Sequence, residues 1–204
     1  MSGEVWGLLL AGGASRRMGR AKGLIPYGQG TFASHLVEML RTGGCADVVV
    51  VVGAYAEAYG RHLAEAAHVV RARDWPMGMR ASLQHGVRAV PVGASVVLTH
   101  VDRPALRSST VAALIEKGAE AQRPVLPVWQ GRSGHPVYLP GALVDQLRSS
   151  EGPVHRLTPL REVLRPLGPV TLPITDPGVL LNVNTPLAAG RLLRHPGAQG
   201  RLPS

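Results

Sequence analysis

Residues 5–22 read VWGLLLAGGASRRMGRAK, and the rest of the chain is best interpreted outward from this stretch. Its first part, Val5–Leu10, is a continuous apolar run, which is typical of a buried strand in a parallel sheet. Directly after the run come two glycines, a serine and several basic residues. Gly12 and Gly13 allow a tight turn that presents backbone N–H groups, while Lys22 and the arginines supply positive charge. The stretch therefore predicts a strand followed by a loop that binds a polyanion.

The spacing of this loop differs from two well-known phosphate loops. A Walker loop requires a serine or threonine after its lysine, whereas Lys22 is followed by Gly23. A dinucleotide fingerprint requires Gly-x-Gly-x-x-Gly, which Gly12-Gly13 followed by Gly19 does not provide. Lysine occurs elsewhere only at Lys117, among 22 basic residues, which favours a specific need for a compact ammonium in the loop. The alternative is an ordinary arginine-rich surface turn.

Apolar runs alternate with amphipathic segments along the first 130 residues. This alternation predicts an α/β fold with a doubly wound, mostly parallel sheet. The predicted strands are Val5–Leu10, Val48–Val52, His68–Val70, Ser95–Thr99 and Pro124–Val128. The predicted helices are one capped by Thr31 and ended by Gly43-Gly44, then Glu57–Ala66, Arg80–Val90 and Ser109–Ala121. Further strands are predicted at Val137–Leu139, Pro169–Pro173 and Val179–Val183. We expect a single domain over residues 1–194 and a flexible tail over 195–204.

The composition excludes several classes of protein. The 204 residues are 45% hydrophobic, as expected of a packed globule, and no apolar run reaches the length of a membrane span. The net charge is +9, but the arginines are scattered and only 4% of residues are aromatic, which argues against nucleic-acid binding. The lone cysteine, Cys45, excludes an internal disulfide framework. We expect a cytoplasmic protein that contacts neither nucleic acid nor membrane.

Polar residues follow two other predicted strands. Thr99–Pro104 contains Asp102, and Asn182–Pro186 contains Asn182 and Asn184. Ligands of open parallel sheets bind beyond the carboxyl ends of the strands, and carboxylate and amide oxygens are suitable ligands for a hard cation. The combination with the polyanion loop favours a magnesium site. The alternative is that Asp102 caps a helix and that Asn184 belongs to a turn.

The chain resembles the nucleotidyltransferases that complete molybdenum cofactor. The resemblance begins with the signature from Leu10 to Lys22 and covers residues 5–190. Further matching segments are Gly78–Leu83 (GMRASL), Leu98–Pro104 (LTHVDRP), Gly134–Val137 (GHPV) and Asn182–Pro186 (NVNTP). Of these segments, GMRASL, LTHVDRP and GHPV are similar to the molybdenum cofactor cytidylyltransferase branch of the family.

The resemblance implies a reaction in which the terminal phosphate of molybdopterin attacks the α-phosphate of a nucleoside triphosphate and pyrophosphate leaves. It implies catalytic roles for Arg16, Lys22 and Asp102, with Mg²⁺ held by Asp102, Asn182 and Asn184. The implied nucleotide-binding residues are Leu10, Ala11, Gly12, Gly13, Ala14, Ser15, Arg16, Met18, Gly19 and Lys22. Arg80, Ser82, His135 and Pro136 would bind the acceptor, although His135 could instead be a structural turn residue.

The sequence departs from the cytidylyltransferase pattern at several positions. Asn182 and Asn184 stand where that branch has two aspartates, and Gly12 stands where it commonly has alanine. Both features resemble the guanylyltransferase branch, so CTP and GTP both remain candidate substrates. Val101 replaces a usual glycine, and Arg103 replaces an apolar residue. The Arg103 cation either reduces the need for a second metal carboxylate or weakens metal binding.

Other functions fit the same fold. One is transfer to a different phosphorylated substrate, and another is a nicotinamide-dependent reductase, against which the missing dinucleotide fingerprint argues. A third is a non-catalytic chaperone that carries molybdenum cofactor to a molybdenum hydroxylase. That hydroxylase is also the expected recipient of an enzymatic product. Lys22 and Asp102 favour an active enzyme.

Overall fold

A computed structural model describes residues 3–13, 15, 18–149 and 159–194 of the chain. Its ten strands among these residues are β1 (Val5–Ala11), β2 (Pro26–Tyr27), β3 (Gly30–Thr31), β4 (Val48–Val52), β5 (His68–Arg71), β6 (Ser95–His100), β7 (Val125–Trp129), β8 (Arg132–Ser133), β9 (Val137–Leu139) and β10 (Val170–Pro173). The α-helices are α1 (Phe32–Thr42), α2 (Ala56–Leu63), α3 (Met79–Ala89), α4 (Ser108–Ala121), α5 (Gly141–Ser149), α6 (Leu160–Leu164) and α7 (Pro186–Arg194).

Eight strands form one mostly parallel sheet in the order β10-β7-β9-β6-β1-β4-β5, with β8 added to β7. β1 lies between β4 and β6 and runs parallel to both. β9 is antiparallel to its neighbours β6 and β7, and β8 is antiparallel to β7. Strands β2 and β3 form a separate two-stranded ribbon. The sheet with its flanking helices confirms the predicted α/β fold.

Alternate residues of the central strands face two separate apolar cores. Leu9 packs with buried residues of α1, α2 and α4, whereas Leu8 and Leu10 pack with buried residues of α3 and α5. The period of two along a strand explains this division, because successive side chains point to opposite faces of the sheet. Both faces are covered by helices, which is why β1 and β4 read as unbroken apolar runs.

Local signals placed most element boundaries correctly. Thr31 caps α1, since its side-chain oxygen accepts a hydrogen bond from Ser34 N, and Gly43 ends that helix. The predicted strand Val179–Val183 is wrong. Residues Pro177–Val179 form a 3₁₀ turn begun by Asp176, and an irregular segment follows as far as Thr185. Val179 and Val183 are both buried, so the apolar pattern reflected burial without pairing.

No helix in the described ranges has both the length and the apolar character needed to cross a membrane.

Candidate functional site

The carboxyl ends of β1, β4 and β6 meet at one edge of the sheet. Leu10 pairs with His100, and Val101 N donates to Leu10 O at 3.0 Å, one residue beyond the strand. Ala11 pairs with Val52 on the other side. A cleft of about 440 Å³ opens at this edge. Its position agrees with the rule that open parallel sheets bind ligands at the ends of their strands.

Gly12 and Gly13, which follow β1 and form the glycine loop, line one side of the cleft. Gly12 is buried, and a Cβ atom added there would lie 2.7 Å from Ser82 Oγ. A Cβ atom on Gly53, which follows β4, would lie 2.1 Å from Gly12 O. Gly12 and Gly53 therefore leave no room for a side chain unless a neighbour moves. Gly13 is exposed, with open space beside it, and also lines the cleft.

Lys22 is held in the cleft through its backbone neighbours. Ser15 Oγ accepts a hydrogen bond from Lys22 N at 3.2 Å, and Ser15 itself adopts a left-handed conformation with φ of 48°. The buried Tyr59 hydroxyl accepts a hydrogen bond from Gly23 N at 2.9 Å. Burial raises the pKa of Tyr59 to about 12. These contacts fix the start of the short 3₁₀ turn Lys22–Leu24.

The Lys22 ammonium contacts both the Asn184 amide and the Asp102 carboxylate in the cleft. Lys22 Nζ lies 2.6 Å from Asn184 Oδ1 and 3.7 Å from Asp102 Oδ2. The side chains of Lys22 and Asp102 are only 13% and 24% exposed, so solvent weakens their attraction only partly. Long-range packing thus brings together a lysine, a carboxylate and an amide that the sequence placed far apart.

Asp102 and Asn184 offer hard oxygen donors to a divalent cation. One carboxylate and one amide oxygen suit Mg²⁺, which binds proteins through few ligands and fills its other positions with water and substrate phosphates. No group of three or more His, Cys, Asp or Glu side chains suited to a metal occurs within the described residues. The residues present therefore fit a cation whose binding depends on phosphate oxygens.

The segment carrying Asn182 and Asn184 reaches the site as an irregular loop. Val183 N donates to Asp102 O at 2.7 Å, which fixes this loop against the end of β6. Asn184 lines the cleft, whereas Asn182 is exposed and lies outside the described lining residues. The structure therefore brings one of the two asparagines to Asp102.

Arg103 turns away from the candidate metal position. Its Nη1 donates to Val179 O at 2.8 Å, and Arg103 does not line the cleft. Burial lowers the pKa of Arg103, while the charge of Asp102 opposes that shift. The arginine therefore contacts the backbone of the asparagine-bearing loop.

Two half-buried histidines pack together next to the cleft, and one of them, His100, interacts with Asp102. The rings of His100 and His135 pack edge to face with centroids 4.6 Å apart, and His100 lines the cleft. Burial lowers the pKa of His100 to about 4 and that of His135 to about 3. Asp102 opposes the shift at His100, whereas Arg103 lowers the pKa of both rings. Both imidazoles are neutral at pH 7.

Only one of the four residues expected at the acceptor is among the residues that line the cleft. Ser82 lines the cleft against Gly12. Arg80 is half-buried in the first turn of α3, and His135 and Pro136 lie behind His100 at the start of β9, so these three are outside the described lining. The backbone N–H of His135 donates to Val179 O at 3.0 Å, and the role predicted for its side chain stays a prediction.

Sequence reasoning missed an apolar side of the cleft. Trp75, Pro76 and Met79 line it, and Met79 is 57% exposed. A proline within a short turn before Gly78 was the available signal, since it marks a break between β5 and α3. Tyr59 carried no signal, because its contact with Gly23 depends on the packing of α2.

The residues predicted to bind the nucleotide differ in where the structure places them. Leu10, Ala11, Gly12, Gly13, Ser15, Met18 and Lys22 line the cleft. Gly19, with φ of 65°, is exposed and lies outside the lining. Ala14, Arg16 and the tail 195–204 lie outside the described residues, so the predictions made for them stay predictions.

Known proteins with similar sequences carry two kinds of name. The chain is 38% identical over 113 residues to nicotine blue oxidoreductase of Paenarthrobacter nicotinovorans, a match covering 54% of this chain and 55% of that protein. The chain thus spans about half the length of this relative. It is 29% identical over 202 residues to a probable molybdenum cofactor guanylyltransferase of Mycobacterium bovis, covering 91% of this chain and 94% of that protein.

Solved structures share the fold over almost the whole chain. The Mycobacterium tuberculosis protein Rv0371c superposes with a TM-score of 0.80 at 23% identity, covering 95% of this chain and all of that one. The same protein in complex with manganese gives a TM-score of 0.73 at 22% identity, with the same coverage.

The sequence profile of the MobA-like NTP transferase domain matches residues 7–170. The match includes the glycine loop, Lys22, Ser82 and Asp102, which the structure brings to one cleft. The chain therefore belongs to the family of MobA-like NTP transferase domains.

Proposed function

We propose that this protein transfers a nucleoside monophosphate from CTP to the terminal phosphate of molybdopterin and releases pyrophosphate. The observation that carries the proposal is the position of Lys22 Nζ, which contacts both Asn184 and Asp102 in the cleft that Gly12 and Gly13 also line. An ammonium, a set of backbone amides and two hard oxygen donors are the groups that a triphosphate and its cation require. The match to the MobA-like NTP transferase domain, which includes Lys22 and Asp102, also supports the proposal.

In the proposed reaction a terminal phosphate oxygen of molybdopterin attacks the α-phosphorus of the nucleotide. The new oxygen–phosphorus bond forms as the bond between the α-phosphorus and the bridging oxygen breaks, and the electron pair leaves with pyrophosphate. Lys22 and Arg16 neutralise the leaving group, and the glycine loop donates backbone N–H groups to phosphate oxygens. Positioning and charge neutralisation supply the catalysis, so no covalent enzyme intermediate is required.

Asp102 and Asn184 would hold Mg²⁺, whereas Asn182, a ligand expected from the sequence, lies outside the cleft lining. When bound, the cation neutralises phosphate oxygens and orients them for in-line displacement. Trp75 and Met79 present an apolar surface to a flat ring, while Ser82 offers a hydroxyl beside Gly12. The product would pass to a molybdenum hydroxylase.

GTP is the second candidate nucleotide. Gly12, Asn182 and Asn184 resemble the guanylyltransferase branch, and the Mycobacterium bovis relative is named a guanylyltransferase. CTP is favoured by the GMRASL segment containing Ser82, by LTHVDRP and by GHPV. The deciding experiment incubates the protein with molybdopterin, Mg²⁺ and an equal mixture of CTP and GTP. We expect pyrophosphate and a cytidine dinucleotide product, and a guanosine product would assign GTP instead.

Reduction by a nicotinamide cofactor is a candidate from a different class, favoured by the similarity to nicotine blue oxidoreductase. The same protein is therefore incubated with NADH or NADPH and a quinonoid dye. Oxidation of the cofactor without pyrophosphate release from CTP or GTP would replace the proposed function. Binding of molybdopterin with neither reaction would indicate a chaperone.

A further inference from the structure

The loop that carries Asn184 has no regular structure of its own next to the cleft. After the 3₁₀ turn Pro177–Val179 it continues irregularly to Thr185, so its position depends on contacts with other elements. At its start, the buried carboxylate of Asp176 accepts hydrogen bonds from Gly178 N at 2.8 Å and from the Thr110 hydroxyl at 2.7 Å. The first turn is thereby attached to α4.

The carbonyl of Val179 is the second attachment. It accepts hydrogen bonds from Arg103 Nη1 at 2.8 Å and from His135 N at 3.0 Å. A Cβ atom on Gly134 would lie 2.2 Å from the same oxygen, so this segment packs directly against it. Arg103 Nε is buried and has no hydrogen-bond partner in the described part of the chain. The hydrogen bond of the Arg103 guanidinium thus goes to the Val179 carbonyl inside the protein.

Asp102 and Arg103 both hold the loop that carries Asn184, and Asp102 is itself a residue of the candidate metal site. Arg103 follows Asp102 directly, and the Asp102 carbonyl accepts the hydrogen bond from Val183 N. Two consecutive residues at the end of β6 therefore attach the loop at Val179 and at Val183, on the N-terminal side of Asn184. A shift of this loop would separate the Asn184 amide from Asp102 and from Lys22 Nζ.

We propose that Arg103 is a positioning residue, which acts through the Val179 carbonyl to hold Asn184 beside Asp102 and Lys22. This inference rests on the proposed nucleotidyl transfer and adds to it a residue outside the cleft. It also gives the arginine after Asp102 a role that does not involve the metal or the phosphates directly.

The test is a double-mutant cycle between Arg103→Met and Asn184→Ala. We expect each single variant to lower kcat at least about tenfold and to raise the Mg²⁺ concentration for half-maximal activity, while KM for molybdopterin changes little. If Arg103 acts through Asn184, the double variant loses no more than about twofold beyond the worse single variant. Losses that multiply would overturn the proposal, because Arg103 would then act independently, and so would an unaffected Asn184→Ala.

A matched control is available in Arg148, whose guanidinium also donates to backbone carbonyls, namely Arg88 O and Val90 O, at 3.0 and 2.8 Å. Arg148→Met should lower Tm without changing kcat or the Mg²⁺ requirement. If Arg103→Met does not fold, Arg103→Lys replaces it in the same cycle, since lysine keeps the charge and loses the forked guanidinium.

A second readout separates this proposal from the proposed function. If the parent protein releases no pyrophosphate from CTP or GTP, the proposed function fails. The same double-mutant cycle is then measured on the affinity for Mn²⁺ in the presence of CTP or GTP, by electron paramagnetic resonance. Coupled losses of Mn²⁺ affinity would still support the positioning role, and multiplying losses or an unaffected Asn184→Ala would overturn it.

Discussion

The Lys22 ammonium donates a 2.6 Å hydrogen bond to the side-chain oxygen of Asn184, which lies 162 residues later in the chain. Asp102 Oδ2 lies 3.7 Å from the same ammonium. Lys22 thus contacts the two oxygen donors, Asn184 Oδ1 and Asp102 Oδ2, that would hold a divalent cation. A triphosphate would offer Lys22 a stronger partner, because phosphate oxygens carry more negative charge than the amide. Phosphate binding and cation binding are therefore expected to depend on each other.

Removal of the ammonium should strongly reduce turnover. Lys22→Ala is expected to lower the rate of pyrophosphate release by about 10²–10³-fold, as for other charge contacts used in a transition state. The matched control is Lys117→Ala, which removes the only other lysine, a partly exposed residue paired with Glu120. Equal pyrophosphate release by Lys22→Ala and the parent would remove Lys22 from the mechanism.

The same ammonium should hinder metal binding when no nucleotide is present. Lys22→Met is expected to bind Mn²⁺ at least about threefold more tightly than the parent, because a positive charge no longer occupies the donors. Calorimetric titration without nucleotide measures this difference, with Lys117→Met as the control. Unchanged or weaker Mn²⁺ binding would show that Lys22 and the cation do not compete.

Asp102 should be required for the effect of metal on nucleotide binding. Asp102→Ala is expected to fold and to lose the additional rise in Tm that Mg²⁺ gives in the presence of CTP or GTP, since binding raises stability only through differential affinity. Asp74→Ala, which alters a carboxylate paired with His85 outside the cleft lining, serves as the control. An undiminished Mg²⁺ effect would identify Asp102 as a cap or turn residue.

The contact between Gly12 and Ser82 decides how base choice can be tested. Gly12→Ala should shift preference toward CTP, since alanine is the residue common in the cytidylyltransferase branch. Its methyl group, however, would lie 2.7 Å from Ser82 Oγ and 3.6 Å from Ser82 Cβ. Gly12→Ala/Ser82→Ala removes the closer contact, so it should bind nucleotide better than Gly12→Ala alone.

Competition between CTP and GTP measures the preference of all three proteins, including Ser82→Ala by itself. A CTP preference that does not increase in either alanine-12 variant would contradict the role of this position in base choice.

The half-buried histidines His100 and His135 should make the stability of the fold sensitive to mild acid. His135 has an ordinary pKa near 6.5 when unfolded and a pKa of about 3 in the folded protein, lowered by burial and by His100 and Arg103. Between these values the unfolded chain binds a proton that the folded chain does not, so stability falls as the pH falls from about 6.5 toward about 3.

His135→Asn should reduce this loss, which urea unfolding at pH 7 and pH 5 measures. His100 contributes in the same direction, so part of the pH dependence remains. An identical loss of stability in the variant and the parent would contradict the lowered pKa of His135.

The sequence alone determined most strands of the sheet and the end of it at which the candidate site lies. Apolar runs such as Val48–Val52, the Thr31 cap and the turn at Gly43 are local signals, and local signals specify elements because they act between near neighbours. The sequence likewise placed Lys22 and Asp102 after the strands whose carboxyl ends meet.

Only the tertiary structure decided which side chains meet. The segment Val179–Val183 forms no strand and buries only Val179 and Val183, because its backbone bonds to Asp102, Arg103 and His135 instead of to a strand. This placement brings Asn184 to Lys22, leaves Asn182 outside the cleft and turns Arg103 toward Val179, 76 residues away. Contacts between such distant segments depend on how the helices and loops pack on the sheet, and no local pattern of residues encodes that packing.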